Sequence, residues 1–207
     1  MERTIKMSKG ILIVVSAPAG CGKDTILEQA LSRNDNLFYS VSATSRGIRP
    51  NETDGVSYHF KTREQFEDMI KNGELLEYTE YCGNYYGTPK KAVEDMLAAG
   101  KDVILKIEVE GAANVKKMFP DCTMIFILPP SFGELDRRLH KRGTEDEETI
   151  QRRIQTARGE LTYARNYDYL IVNGALEKAV DDFLSVVASE KMRTANCGNL
   201  IDTLLSE

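Results

Sequence analysis

The chain has 207 residues, 42% of them hydrophobic and 29% charged, with a formal net charge of −5 at pH 7. It is long enough for one domain, or one domain with insertions, and a sizeable core, ordinary in composition for a soluble globular chain, and its charge gives no sign of non-specific nucleic-acid binding. Cys21, Cys82, Cys122 and Cys197 are too scattered for a metal pairing, and no apolar run is long enough to span a membrane; a cytoplasmic protein with reduced thiols and no nucleic-acid or membrane partner is expected.

Residues 11–15, ILIVV, have the length and character of a buried parallel strand. Ala17, Pro18, Ala19, Gly20, Cys21 and Gly22 follow, small residues that let a backbone turn sharply and approach a ligand closely. Then come Lys23 and apolar residues at helical spacing, Ile26, Leu27, Ala30 and Leu31. Strand, glycine-containing loop, Lys and helix form the layout of a phosphate cradle: loop N–H groups and a helix N-terminus face the phosphates, and the Lys adds a point charge. The match to G-x-x-x-x-G-K-[ST] is imperfect, with Ala17 at the first glycine, Asp24 at the last position and Thr25 one place later. Asp24 either gives a carboxylate oxygen to Mg²⁺ or only complements the positive end of the helix dipole. Ala17 is harmless if its φ is ordinary and strained by about 1 kcal/mol or more if φ is positive. Cys21 is either a small packing residue or a thiol activated by the helix N-terminus.

Residues 34–36 read as a turn and 38–43 as a strand. The stretch to residue 60 is rich in turn formers and lacks a helical period. Its Arg46 and Arg49 are either stray arginines on a solvated loop or two planar forks for a mononucleotide phosphate, with Tyr58 adding a phenolic donor. Thr62 and Gln65 make a capping box for a helix over 62–72, which Gly73 ends. Residues 75–89 read as two short strands about a turn at 82–84; Glu77, Tyr86 and Thr88 on them are each either sheet-surface residues or ligand contacts. A short amphipathic helix over 90–99 follows. Residues 103–109, VILKIEV, read as the second core strand, with Leu105, Ile107 and Val109 on one face and Lys106, Glu108 and Glu110 on the other. Charge at the carboxyl end of such a strand points to a site role for Glu108.

Residues 123–128 make a third buried strand, stopped by Pro129 and Pro130. The region 131–161 is charged and helical, with Thr144 and Glu147 as a cap. Its Arg138, Arg142, Arg153 and Arg158 either belong to solvated, ion-paired helices or form an arginine-bearing cover over a triphosphate. Residues 169–172 are a fourth strand, followed by Asn173 and Gly174; a last amphipathic helix covers 176–189, and the tail packs as one more helical turn or frays.

Several stretches together, SVSATSRGIRPNETDGVSYHF, GNYYGTP, the strand ending IEVEG, RLHKRGTEDEETIQRRI and IVN, closely resemble guanylate kinases over residues 10–188. The resemblance implies a P-loop NTPase-type three-layer α/β/α core with a parallel sheet (1–41, 91–131 and 162–207), an inserted GMP-binding domain (42–90) and a helical lid (132–161). It implies transfer of the γ-phosphate of ATP to GMP, and to dGMP, with Mg²⁺, in a monomer or homodimer. Position by position, Ala17 to Thr25 with Lys23 would hold ATP phosphates, and Asn173 the adenine. Ser42, Thr88, Glu77 and Glu108 would bind the guanine, and Arg46, Arg49, Tyr58 and Tyr86 the GMP phosphate. Arg138, Arg142 and Arg153 would neutralise the moving phosphoryl group. Asp24 replaces the family's hydroxyl, Lys106 stands where the family usually has an acid, and Glu110 where it usually has Gln. A guanylate-kinase-like module without turnover, or a related kinase with another acceptor such as a sugar phosphate, are the competing readings.

Overall fold

The apolar run after Gly10 becomes β1 (Leu12–Ser16), the middle strand of a five-stranded sheet. The computed structural model describes residues 9–81, 83–141 and 146–206, with the backbone alone at 198–200; Cys82, Arg142 and Thr144 lie outside the described residues. From β1 the chain enters α1 (Lys23–Arg33), returns as β2 (Leu37–Tyr39), and leaves for β3 (Ala43–Thr44), β4 (His59–Phe60), α2 (Arg63–Lys71), β5 (Leu75–Tyr81) and β6 (Asn84–Pro89). It comes back through α3 (Lys90–Ala98), β7 (Asp102–Lys106), α4 (Val109–Met118), β8 (Thr123–Leu128), α5 (Phe132–Lys141), α6 (Glu147–Tyr163), β9 (Tyr169–Val172), α7 (Leu176–Lys191) and α8 (Thr194–Leu205).

The large sheet has the order β2-β7-β1-β8-β9, and every neighbouring pair is parallel. Side chains alternate across β1. Ile13 and Val15 pack with Ile26 and Ala30 of α1 and Val180 and Phe183 of α7. Leu12 and Val14 pack with Val93 and Leu97 of α3 and Ala112 and Val115 of α4. A strand covered on both faces needs no polar side, which is why the run at 11–15 is continuous. This is the expected three-layer α/β/α arrangement. The second sheet, β4-β3-β6-β5, is mixed: β3 and β4 are parallel, and β6 is antiparallel to both β3 and β5. Phe66 of α2 is fully buried and stacks on Tyr85 with ring centroids 5.2 Å apart. The capping box of Thr62 and Gln65 is present in both directions.

Four expectations are corrected. The strand read over 38–43 is two strands in two sheets. Ser40 N–H closes the large sheet onto Ile104 O, and Ala43 then pairs with Gly87; an extended chain that changes sheets keeps one alternation pattern throughout. The strand read over 103–109 stops at Lys106. Glu108 instead caps α4, a helix that the sequence pattern does not announce, its carboxylate accepting from the N–H groups of Glu110 and Gly111. Glu is not among the favoured N-cap residues, so no sequence signal marks that start. Helix α6 begins at Glu147 with Asp146 as its cap, the carboxylate accepting from Thr149 N–H. The tail forms three turns of helix, α8, rather than one.

Asp102 anchors the end of the sheet away from the phosphate loop. It is wholly buried and accepts from Ile11 N–H at 3.2 Å, Asn36 Nδ2 at 2.8 Å and Lys191 Nζ at 2.8 Å. One carboxylate thus ties β1, the α1–β2 turn and the end of α7 to β7. Asp102→Ala leaves a half-buried ammonium and two donors without their acceptor, and should cost about 3 kcal/mol, read as a lowered urea midpoint with an unchanged slope.

Candidate active site

The loop between β1 and α1 turns on Gly20 (φ 88°) and Gly22 (φ 76°). Among the described residues Asn51 is the one non-glycine with positive φ, so Ala17 sits in ordinary backbone and carries no strain. Gly22 is the N-cap of α1 and offers no side chain to the first turn, so those N–H groups, with the helix dipole behind them, face outward as an anion site. Asn173, at the end of β9, is buried and donates Nδ2 to Cys21 O at 2.7 Å; a Cβ on Gly22 would lie 2.5 Å from that nitrogen. Arg138 donates to Asn173 O at 2.9 Å and to Glu134 Oε1 at 2.7 Å. Asn173 and Arg138 therefore brace the loop from its far side. Cys21 is buried, and burial pushes its thiol up to about 12 against the pull of Arg138 and Lys23. It is a packing residue, not an activated thiol.

On the near side a cleft of about 440 Å³ opens over the carboxyl ends of β1 and β7. Ala19 and Lys23 line it from the loop, Ser42, Arg49, Tyr58, Glu77 and Tyr86 from the small-sheet region, Lys106 and Glu108 from the end of β7, and Arg153, Thr156 and Glu160 from α6. Burial and the neighbouring Lys106 push the Lys23 ammonium down to about 8. Burial also raises the Glu160 carboxyl, with Lys23 opposing.

Glu77 is buried; burial pushes its carboxyl up to about 7, the Thr88 hydroxyl that donates to it at 2.8 Å pulling the other way. Glu108 lies beside it. A Cβ on Gly111 would be 2.9 Å from Glu77 Oε2 and 3.1 Å from Glu108 Oε1, so the glycine leaves room for two carboxylates at one helix end. Arg46 grips Glu52 with both terminal guanidinium nitrogens, at 2.7 and 3.0 Å, and lies over the Tyr58 ring at 5.5 Å from its centroid. Arg49 gives Glu52 a backbone N–H at 2.8 Å. The bonds from Arg46 hold the Glu52 carboxyl below its usual value.

Most of the residues singled out in the sequence meet here. Ala19, Lys23, Ser42, Arg49, Tyr58, Glu77, Tyr86, Glu108 and Arg153 share the cleft; Arg46 stands behind Tyr58, and Thr88 behind Glu77. Gly20, Gly22, Thr25, Arg138 and Asn173 line a separate, open depression across the loop. Ala17 packs against the core. Asp24 pairs with Lys106 at 2.7 Å. Arg142 lies outside the described residues. Sequence reasoning assigns no role to Glu52, Thr156 or Glu160. Arg153, Thr156 and Glu160 share one face of α6 at helical spacing, and only the fold tells which face of so charged a helix turns inward.

Asp24 also bears on metal binding. Its exposed carboxylate stands in the first turn of α1, already bonded to Lys106, and an oxygen donor suits Mg²⁺, which takes one or two carboxylates plus substrate phosphates. Among the described residues no three His, Cys, Asp or Glu side chains form a metal-binding group, so phosphate oxygens and water would complete the shell.

A parallel sheet feeding a glycine loop, a lysine at a helix N-terminus and an arginine facing it across one cleft define an α/β P-loop protein built to hold phosphorylated ligands. A family model described as guanylate kinase matches residues 9–190. Guanylate kinase of Desulfitobacterium hafniense (strain Y51) is 51% identical over 189 residues, 91% of this chain and 94% of that protein. That of Carboxydothermus hydrogenoformans is 53% identical over 187 residues, 90% and 92% of the two chains. The crystal structure of guanylate kinase from Anaplasma phagocytophilum superposes with a TM-score of 0.76 at 34% identity, covering 91% and 90%. The chain belongs to the guanylate kinase family.

Burial of Glu77 has a measurable cost. Its folded-state pKa, about 7, lies above the ordinary glutamate value of 4.5, so the folded protein binds the extra proton and stability falls as pH rises from about 4.5 through 7. Glu77→Gln keeps an acceptor for Thr88 and removes the charge. It should stabilise the ligand-free protein by on the order of 2 kcal/mol at pH 8 and by little at pH 4.5, as measured by thermal melts across pH.

Proposed function

We propose that this cleft is where the chain passes the γ-phosphate of ATP to GMP, giving ADP and GDP. ATP:GMP phosphotransfer is the activity of the family; the assignment of residues is our reading. The observation that carries it is that Lys23 and Arg49 face one cleft floored by the Glu77 carboxylate. The phosphate loop and Lys23 take the donor phosphates. Arg46, Arg49, Tyr58 and Tyr86 take the acceptor phosphate, which displaces Glu52 from the Arg46 fork. Glu77, steadied by Thr88 and beside Ser42 and Glu108, reads the guanine, whose N1–H and 2-amino group are donors a carboxylate accepts. These residues read base and phosphate but not the sugar 2′ position, so dGMP is a second acceptor.

The chemistry asks for positioning and charge rather than covalent work. The moving phosphoryl group passes through a loose transition state with charge on its outer oxygens. Lys23 and Arg153 supply cations from two sides of the cleft. Arg138 acts through the loop it braces, and Asn173 lines the open depression across the loop, which would take the adenine. Mg²⁺ would be held by phosphate oxygens and water, with Asp24 staying on Lys106, and would neutralise donor charge. Residues 42–90 are the acceptor-binding unit, 132–161 the cover that excludes water, and the rest the core. The described cysteines Cys21, Cys122 and Cys197 are free thiols, in keeping with a cytoplasmic, reducing setting.

An ADP-release assay over GMP, dGMP, AMP and sugar phosphates, with and without Mg²⁺, should give turnover with the first two only and with the metal. Turnover on a sugar phosphate, or tight GMP binding with no ADP formed, would return one of the competing readings. Arg46→Ala should raise KM for GMP about 10- to 100-fold, the size of one lost charge-assisted contact, with KM for ATP nearly unchanged. Equal effects on both substrates would contradict the assignment.

A further inference from the structure

Lys106 is the last residue of β7, paired in register with Val15 just before the phosphate loop. Its Nζ lies 2.7 Å from Asp24 Oδ1 and 5.4 Å from the centre of the Tyr39 ring. The side chain is 26% exposed and that of Asp24 65%. It lines the main cleft together with Lys23, Arg49 and Arg153, and also the adjoining cavity between α1 and Tyr58. We propose that Lys106 is a phosphate-bridging cation of the transfer site, held by Asp24 between the donor phosphates at Lys23 and the acceptor phosphate at Arg49 and Tyr58.

The proposal rests on the ATP:GMP reading and deepens it. A structural role for the pair does not account for its place. An ion pair with one partner mostly in water stabilises little. Against that small gain, the ammonium stands in a cleft that already holds three other cations, Lys23, Arg49 and Arg153. Glu77, Glu108 and Glu160 on the same cleft offset part of the repulsion among these cations, and a polyanion in the same space offsets more. Lys106 shares the main cleft with Tyr58, assigned to the acceptor, and with Lys23, assigned to the donor, so its charge falls where the two phosphate chains meet. Lys106 forms no bond and keeps its proton. The γ-phosphorus–oxygen bond to ADP breaks as the bond to the GMP phosphate oxygen forms, and the ammonium offsets charge on the oxygens of the moving group. Asp24 keeps the long lysine stem from straying and is a positioning residue.

The test is calorimetric binding in EDTA, so that no metal competes for Asp24, using ATP, GMP, and adenosine and guanosine joined through five phosphates. Lys106→Gln should weaken the linked ligand about tenfold or more, while ATP alone and GMP alone change less than about threefold, and Lys106→Arg should stay within about threefold of the parent for all three. Unchanged binding of the linked ligand by Lys106→Gln overturns the proposal. So does an equal loss for ATP alone, which would make Lys106 a donor-side cation only. If the parent protein itself ignores the linked ligand, the ATP:GMP reading fails first and this inference with it. Should Lys106→Gln melt early, Lys106→Met, which keeps the apolar stem against Tyr39, takes its place, and the same binding results support or overturn the proposal.

Discussion

Two polyanions meeting end to end repel each other, and this molecule is arranged around that repulsion. Unit charges a few ångströms apart interact strongly only where water is kept out, so the cations have to be gathered in a cleft before the anions arrive. They then repel one another, and burial together with the neighbouring Lys106 lowers the proton affinity of Lys23. Carboxylates interleaved among them limit the cost: Asp24 beside Lys106, Glu52 in the fork of Arg46, and Glu160 facing Lys23. Of these, Glu52 is a ready exchange partner for a phosphate.

The parallel sheet makes this possible by sending several chain segments to one edge. The ends of β1 and β7 deliver the phosphate loop, Lys106 and Glu108 side by side, and Ser16 Oγ donates to Ile107 O at 2.8 Å to keep them together. The small sheet adds the opposite wall. Its β5 carries Glu77 into the interior, where loss of water raises its proton affinity, and the bare backbone of Gly111 leaves space for a second acid. A buried carboxylate is a poor stabiliser and a strong reader of hydrogen-bond donors.

Much of this is legible in the residues, and the reasons differ by element. The run ILIVV has the length and character of a strand covered on both faces, and the small-residue loop, Lys and helix after it have the layout of a phosphate cradle. The box of Thr62 and Gln65 spells out its helix start chemically. By contrast α4 is hidden: Glu108 is an unusual cap, and alternation in VILKIEV continues past the true end of β7. The chain at 38–43 stays extended while changing sheets, and no local rule marks such a crossing. Arg138 and Arg153 look alike in sequence, yet one braces the loop and the other lines the cleft, because helix α5 and helix α6 present different faces to it. Glu52 and Glu160 carry no signal at all, since each is one acid among many until the fold selects it.

Cys21 has an implication for survival under oxidative stress. Peroxide and alkylating agents attack the sulfur anion, and a thiol this reluctant to ionise, sealed beneath the loop, presents almost none. The phosphate loop therefore contains sulfur without offering oxidants a handle, and of the three described thiols Cys197, partly exposed, is the one within their reach.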